Sequence, residues 1–181
     1  MSDLKESPSQ TAGPYVHIGC VAQTAGLEPR GMGPQLGANT MHDGAMITLD
    51  ITVLDGAGDL VKDALLEIWQ ASPDGGDDAS DTRKNWGRQA TDLQTGLARF
   101  ETVKPAPAYG QAPHVLVWIA ARGINLALTT RIYFPDETNA GDPVIDLAAG
   151  RAETLIATKT QTGYAHTIRL QGRQETVFFD V

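Results

Sequence analysis

The chain has 181 residues, enough for one domain with a substantial core, and 22 acidic against 14 basic side chains give it a net charge of −8. That balance excludes the basic stripe of a nucleic-acid binder. The single cysteine, Cys20, excludes an intrachain disulfide framework, and no apolar run approaches the ~20 residues of a membrane span. The polar start from Met1 to Gln10 offers no leader, so the expectation is a soluble, cytoplasmic protein with one domain over residues 1–181.

Residues 1–10 read as an arm. Gly13-Pro14 then sets a turn that presents Tyr15 at a defined place, and on the residues alone Tyr15 packs on the core. Residues 22–43, rich in Gly, Pro, Gln and Asn, read as a long loop. From Met46 the pattern changes: Ile47, Leu49, Ile51 and Val53 alternate with Thr48, Asp50 and Thr52, a half-buried strand. After the turn Asp55-Gly56-Ala57-Gly58, the run Leu65-Leu66-Glu67-Ile68-Trp69-Gln70 reads as a strand covered on both faces. Glu67 is its odd member, because a carboxylate among apolar side chains needs a partner, and this places the strand beside a polar site or an interface. Residues 72–92, with Asp74, Asp77, Asp78 and Asp81 beside Arg83, Lys84 and Arg88, read as a solvated loop. They lack the spacing and terminal Glu of a calcium loop.

A strand over residues 97–102 follows, and then the proline-punctuated connection from Lys104 to Pro113, unsuited to a helix or a central strand. It leads into His114-Val115-Leu116-Val117-Trp118-Ile119-Ala120, where period two puts His114, Leu116 and Trp118 on one face. The strand from Leu126 to Phe134 brings Arg131 and Tyr133 together, and Asp142-Pro143 opens a short helix or turn. Three last strands are expected at residues 154–158, 165–170 and 176–181. Many short strands and little helix predict a mainly β fold, a sandwich with long loops. No phosphate loop, nucleophile elbow or zinc spacing occurs, and His17, His42, His114 and His166 show no metal-ligand spacing.

The run from Asp59 to Gly75, with Val103-Lys104-Pro105, Ala112-Pro113-His114 and Arg131-Ile132-Tyr133-Phe134, resembles the intradiol ring-cleavage dioxygenases. The opening residues 9–19 and the closing residues 151–157 and 175–180 resemble the alpha chain of a two-chain member of that family. The resemblance implies a non-haem Fe(III) held by two tyrosines and two histidines, with a His-x-His at the start of a strand. Here that tripeptide is His114-Val115-Leu116, the loop at 72–92 holds no tyrosine, and Tyr109 stands in a different local pattern. The implied arrangement is therefore no catalytic or metal-ligating residue in this chain, with Fe(III) bound by a homologous beta subunit in a hetero-oligomer of alpha–beta pairs. Residues 1–45 would contribute to the alpha–beta interface, and Thr11, Gly13, Pro14 and Tyr15 would line the substrate pocket. Arg131 has two readings: a cation for a substrate carboxylate, or one half of a salt bridge. The implied activity is O2-dependent cleavage of 3,4-dihydroxybenzoate between its hydroxyls to 3-carboxy-cis,cis-muconate. The alternatives are a complete iron dioxygenase, against which Leu116 speaks, and a β-sandwich binding or interaction module without catalysis.

Overall fold

The computed structural model describes Gly13 and residues 19–21, 46–75 and 85–180. The predicted alternation becomes strand β1, Met46–Leu54, whose inward residues Leu49, Ile51 and Val53 are fully buried. Among the described residues seven further strands follow: β2 Leu65–Gln70, β3 Trp86–Ala90, β4 Leu97–Val103, β5 His114–Ala120, β6 Leu128–Tyr133, β7 Thr158–Lys159 and β8 Gly163–Arg169. They form two four-stranded sheets, β4-β1-β8-β7 and β3-β2-β5-β6. The expected mainly β, two-layer architecture is what the chain adopts.

The facing sides of the sheets share one core. Leu49, Ile51, Phe100, Tyr164 and Ile168 come from the first sheet, and Leu66, Ile68, Val115, Val117, Ile119 and Ile132 from the second. The parallel pairing of β1 with β8 sets Thr48 against Gly163. A Cβ on Gly163 would lie 2.0 Å from the Thr48 carbonyl oxygen, so this register requires glycine. A second, smaller cluster around Tyr133, Ala148, Leu155 and Val177 closes the end of the sandwich where β6 finishes. Lys104, Glu137, Asp136, Lys159 and the Tyr164 hydroxyl are laced together nearby, with Asp136 accepting from Lys159 at 2.7 Å and from Tyr164 at 3.0 Å. The Lys159 ammonium foremost, against a smaller effect of burial, holds the Asp136 carboxyl well below the usual carboxylate range.

Four sequence expectations are corrected. Within the expected loop at 72–92, Trp86–Ala90 forms the edge strand β3, because Glu67 and Arg88 stand opposite each other and the ladder with β2 satisfies its backbone. Residues 154–158 are not a strand. Ala152–Leu155 is a 3-10 turn, with the Thr154 hydroxyl donating to the Arg151 carbonyl at 2.8 Å, and only Thr158–Lys159 pairs with β8. The expected last strand is absent among the described residues 176–180. Their backbone bonds go singly instead: Thr176 N–H to the Arg169 carbonyl, Val177 N–H to the Thr154 hydroxyl and Phe179 N–H to the Thr129 carbonyl. Finally, among the described residues β2 is not covered on both faces along its whole length: Trp69 is 44% exposed, while Leu66 and Ile68 point into the core.

Candidate functional site

The outer face of the second sheet collects the side chains that the core does not take. Trp69 stands opposite Trp86 on one side and Leu116 on the other, Glu67 opposite Arg88 and Trp118, and Leu116 opposite Arg131. Trp69 and Trp118 are exposed. The Glu67 carboxylate finds the partner its setting demands: Arg88 Nε donates to Oε1 at 2.7 Å, while the guanidinium lies 4.9 Å from the Trp86 ring centroid. Arg88 Nη1 also reaches the Cys20 carbonyl at 3.5 Å, which sets residues 19–21 against this sheet.

At one end of the same face lies a polar cluster built from three segments. Strand β6 carries Arg131 and Tyr133 on one side, the chain running into β5 supplies Gln111 and, as the first residue of that strand, His114, and the loop after β6 supplies Asp142. Arg131 Nη1 donates to the Gln111 side-chain oxygen at 2.8 Å and to the Tyr133 hydroxyl oxygen at 3.4 Å. The Tyr133 hydroxyl donates to Asp142 Oδ1 at 3.2 Å. The same Oδ1 accepts the backbone N–H groups of Val144 and Ile145, capping the short helix α1, Pro143–Asp146. Asp142 Oδ2 accepts the Ala112 N–H at 2.8 Å. One buried carboxylate therefore joins the helix, the tyrosine and the segment that delivers His114.

Each ionisation follows from this packing. Burial, outweighing the opposing influence of Arg131, pushes the Tyr133 phenol up to about 12, so it stays protonated and acts as a donor to Asp142. Burial tends to raise the Asp142 carboxyl, but the N–H groups of Val144, Ala112 and Ile145 overcome it and hold the group below its ordinary value. Burial lowers His114, whose Nδ1 lies 2.8 Å from the Ala112 carbonyl oxygen and whose ring sits 5.5 Å from that of Tyr133. The next residue on the His114 face is Leu116, and the Tyr133 hydroxyl is engaged by Asp142. Tyr109 lies in an exposed turn at φ 55. This donor set, one histidine bonded to a carbonyl, one leucine and one engaged phenol, does not fit a ferric ion. Among the described residues no three His, Cys, Asp or Glu side chains are grouped as metal ligands.

Of the pocket residues expected from the sequence, Arg131 stands in this cluster. The salt-bridge reading of Arg131 does not describe it: among the described residues its partners are an amide and a phenol, not a carboxylate. Gly13 is half-buried with nothing within 4 Å of where a Cβ would be. Thr11, Pro14 and Tyr15, with His17 and His42, lie outside the described residues. Gln111 and Asp142 are cluster members that sequence reading missed. The Asp-Pro dipeptide signals the short helix or turn expected there, but nothing in it points to Asp142 as a partner of Tyr133.

The fold is that of the intradiol ring-cleavage dioxygenases. The dioxygenase domain of a dioxygenase carbohydrate-binding protein fusion from Streptomyces sp. SirexAA-E superposes with a TM-score of 0.57 at 22% identity, over 90% of this chain and 96% of that one. Catechol 1,2-dioxygenase from Pseudomonas arvilla C-1 gives 0.57 at 23% identity, over 77% of this chain and 56% of that one. No family model matches the chain. In sequence it is 43% identical to the protocatechuate 3,4-dioxygenase alpha chain of Pseudomonas putida, over 98% of this chain and 97% of the relative. It is 40% identical to the alpha chain of that name from Burkholderia cepacia, over the full length of both. The chain belongs to the protocatechuate 3,4-dioxygenase alpha-chain family. No helix among the described residues is long and apolar enough to cross a membrane.

Proposed function

We propose that this chain is the alpha subunit of a protocatechuate 3,4-dioxygenase and works in a hetero-oligomer with a homologous beta subunit that carries the Fe(III). Together they would cleave 3,4-dihydroxybenzoate with O2 to 3-carboxy-cis,cis-muconate. The observation that carries this reading is the occupant of the second imidazole position: Leu116, facing Arg131 across the β5–β6 ladder, on a sheet face that also shows Trp69 and Trp118. An apolar, aromatic face with one ion pair and few other charges is the composition of an interface centre. Such a face suits a partner chain, and Leu116 cannot ligate a metal. Iron in the partner supplies the oxygen chemistry, and no step of it runs through this chain.

What this chain would do is bind and orient. Arg131 is permanently charged, and Gln111 and Tyr133 fix one arm of its guanidinium. Its remaining N–H groups have no hydrogen-bond partner among the described residues, and they suit the carboxylate of an aromatic acid. The resemblance assigns Thr11, Gly13, Pro14 and Tyr15 to the pocket wall, where they would offer backbone N–H groups and a phenol.

Expressing the chain alone and together with a homologous beta subunit tests the reading. The chain alone is expected to carry no iron and no ring-cleavage activity, and both should appear in a co-purifying complex. In that complex Arg131→Ala should lower kcat/KM about 10- to 100-fold, the range for losing one charge-assisted contact, with iron content unchanged. Tyr15→Ala should change the kinetics and leave the iron in place. Stoichiometric iron in the isolated chain would instead identify a complete dioxygenase. Failure of any iron-bearing homologue to associate would favour a binding module without catalysis.

A further inference from the structure

Gln111 leaves a turn that fixes its backbone from both sides. The Ala108 N–H donates to the Gln111 carbonyl at 3.3 Å, and the Gln111 N–H donates to the Ala108 carbonyl at 2.9 Å. The two residues between them, Tyr109 at φ 55 and Gly110 at φ 71, both take left-handed backbone. This is a tight two-residue turn, and a residue other than glycine enters it only at a steric cost. On the other side, Ala112 gives its N–H to the buried Asp142 carboxylate. From this anchored backbone the Gln111 side chain meets Arg131 Nη1 at 2.8 Å. A guanidinium only donates, so the amide oxygen is the atom that faces it.

What Gln111 does not bring is charge. Arg88, Arg99 and Arg122 each meet a carboxylate, those of Glu67, Asp50 and Asp63. Arg131 is half-buried and is held instead by two neutral acceptors, the Gln111 amide and the Tyr133 hydroxyl. Burial keeps that phenol protonated at pH 7, so it supplies no counter-charge. The carboxylate of the cluster, Asp142, is met by the N–H groups of Val144, Ile145 and Ala112 and by the Tyr133 hydroxyl. It reaches Arg131 only through that phenol. A glutamate at position 111 would match glutamine in shape and keep the contact, but it would form an ion pair and use up the positive charge. A methionine would leave the charge free and lose the bond that aims it. Only the amide does both.

We propose that Gln111 is a specificity-determining residue for the reaction proposed above: it aims Arg131 with a neutral amide, so that the guanidinium keeps its charge for an anionic aromatic substrate. This role rests on the alpha-subunit reading and deepens it. Gln111 acts through Arg131 as a positioning residue, and the pair selects by charge. It favours 3,4-dihydroxybenzoate over catechol, which has the same two hydroxyls and no carboxylate.

Steady-state kinetics of the co-purified alpha–beta complex test this with 3,4-dihydroxybenzoate and catechol as a matched pair. The readout is the ratio of their kcat/KM values, which a general disturbance of the fold does not move because it lowers both alike. Gln111→Glu should lower that ratio about 10- to 100-fold, the range for one charge-assisted contact, through a raised KM for 3,4-dihydroxybenzoate with kcat nearly unchanged. Gln111→Met, which keeps the charge and loses the aiming bond, should lower it by less, about 2- to 10-fold. Equilibrium binding of the same pair with O2 excluded should show the same order. A wild-type complex that prefers 3,4-dihydroxybenzoate, with Gln111→Glu keeping the full preference, overturns the role of Gln111 and leaves the alpha-subunit reading standing. A Gln111→Met ratio as low as that of Gln111→Glu overturns the part played by neutrality. An unchanged Gln111→Met ratio overturns the aiming role, and decides it even if Gln111→Glu does not assemble. Absence of ring cleavage in the wild-type complex would instead sink the alpha-subunit reading, and this role with it.

Discussion

Replacing Asp142 by alanine should lower the unfolding free energy by about 3–5 kcal/mol, measured by denaturant titration with linear extrapolation. Asp142 is 2% exposed, and its two oxygens receive four hydrogen bonds, from the N–H groups of Val144, Ile145 and Ala112 and from the Tyr133 hydroxyl. The variant loses a helix cap, worth roughly 1 kcal/mol. It also strands the Ala112 N–H and the Tyr133 hydroxyl where water has little access, at about 1–3 kcal/mol for each buried orphan. Asp142→Asn keeps one acceptor oxygen for the cap but turns an amide N–H₂ toward the Ala112 N–H, so its loss should fall between wild type and alanine. In the assembled enzyme both variants should also disturb the Arg131 cluster, because Ala112 positions His114 and Tyr133 positions Arg131. A loss no larger than that of an ordinary surface substitution, about 0.5 kcal/mol, would mean that water replaces the carboxylate at little cost.

The same residue shows what kind of information the sequence carries. Strands β1 and β5 are legible because a period of two over apolar residues is a local property of a chain segment that must bury one face. Arg131 and Tyr133 fall together for the same reason, being two residues apart on β6. Strand β3 is not legible: Trp86-Gly87-Arg88-Gln89-Ala90 has no apolar alternation, and it becomes a strand only because β2 offers it a ladder and Glu67 offers Arg88 a counter-charge. The reverse error occurs at the C-terminus, where Val177 and Phe179 alternate as a strand would. There the burial is real, but the backbone finds three separate partners in three separate segments in place of one neighbouring strand. Gln111 meeting Arg131, and Asp142 meeting Tyr133 and Ala112, are likewise products of the fold, since neither pairing leaves a mark in the spacing of the residues concerned.

Between pH 6.5 and pH 4 the isolated chain should lose stability steadily, and His166 should account for about 3 kcal/mol of that loss. Burial lowers its folded-state pKa from the ordinary 6.5 to about 4, with the Ile156 backbone opposing. In this window the unfolded chain therefore binds more protons than the folded one, and the unfolding free energy rises with pH at up to about 1.4 kcal/mol per unit. Above pH 6.5 both states are neutral at this residue and the slope vanishes. Below about pH 4 both are protonated, and the further loss belongs to Asp136 and Asp142. Their depressed carboxyl groups contribute stability above the ordinary carboxylate range and lose it as the pH falls through their folded values. His114, also lowered by burial, adds to the same window, so a variant is needed to separate the two. His166→Leu should remove its share of the slope and leave that of His114, and His114→Gln should do the converse. Because the leucine also removes Nε2, which is buried without a hydrogen-bond partner, it should cost little stability at pH 7. A wild-type curve that is flat from pH 6.5 to 4.5, or a leucine variant that keeps the full slope, would show that His166 titrates equally in both states, and hence that water or an ion already reaches the ring inside the fold.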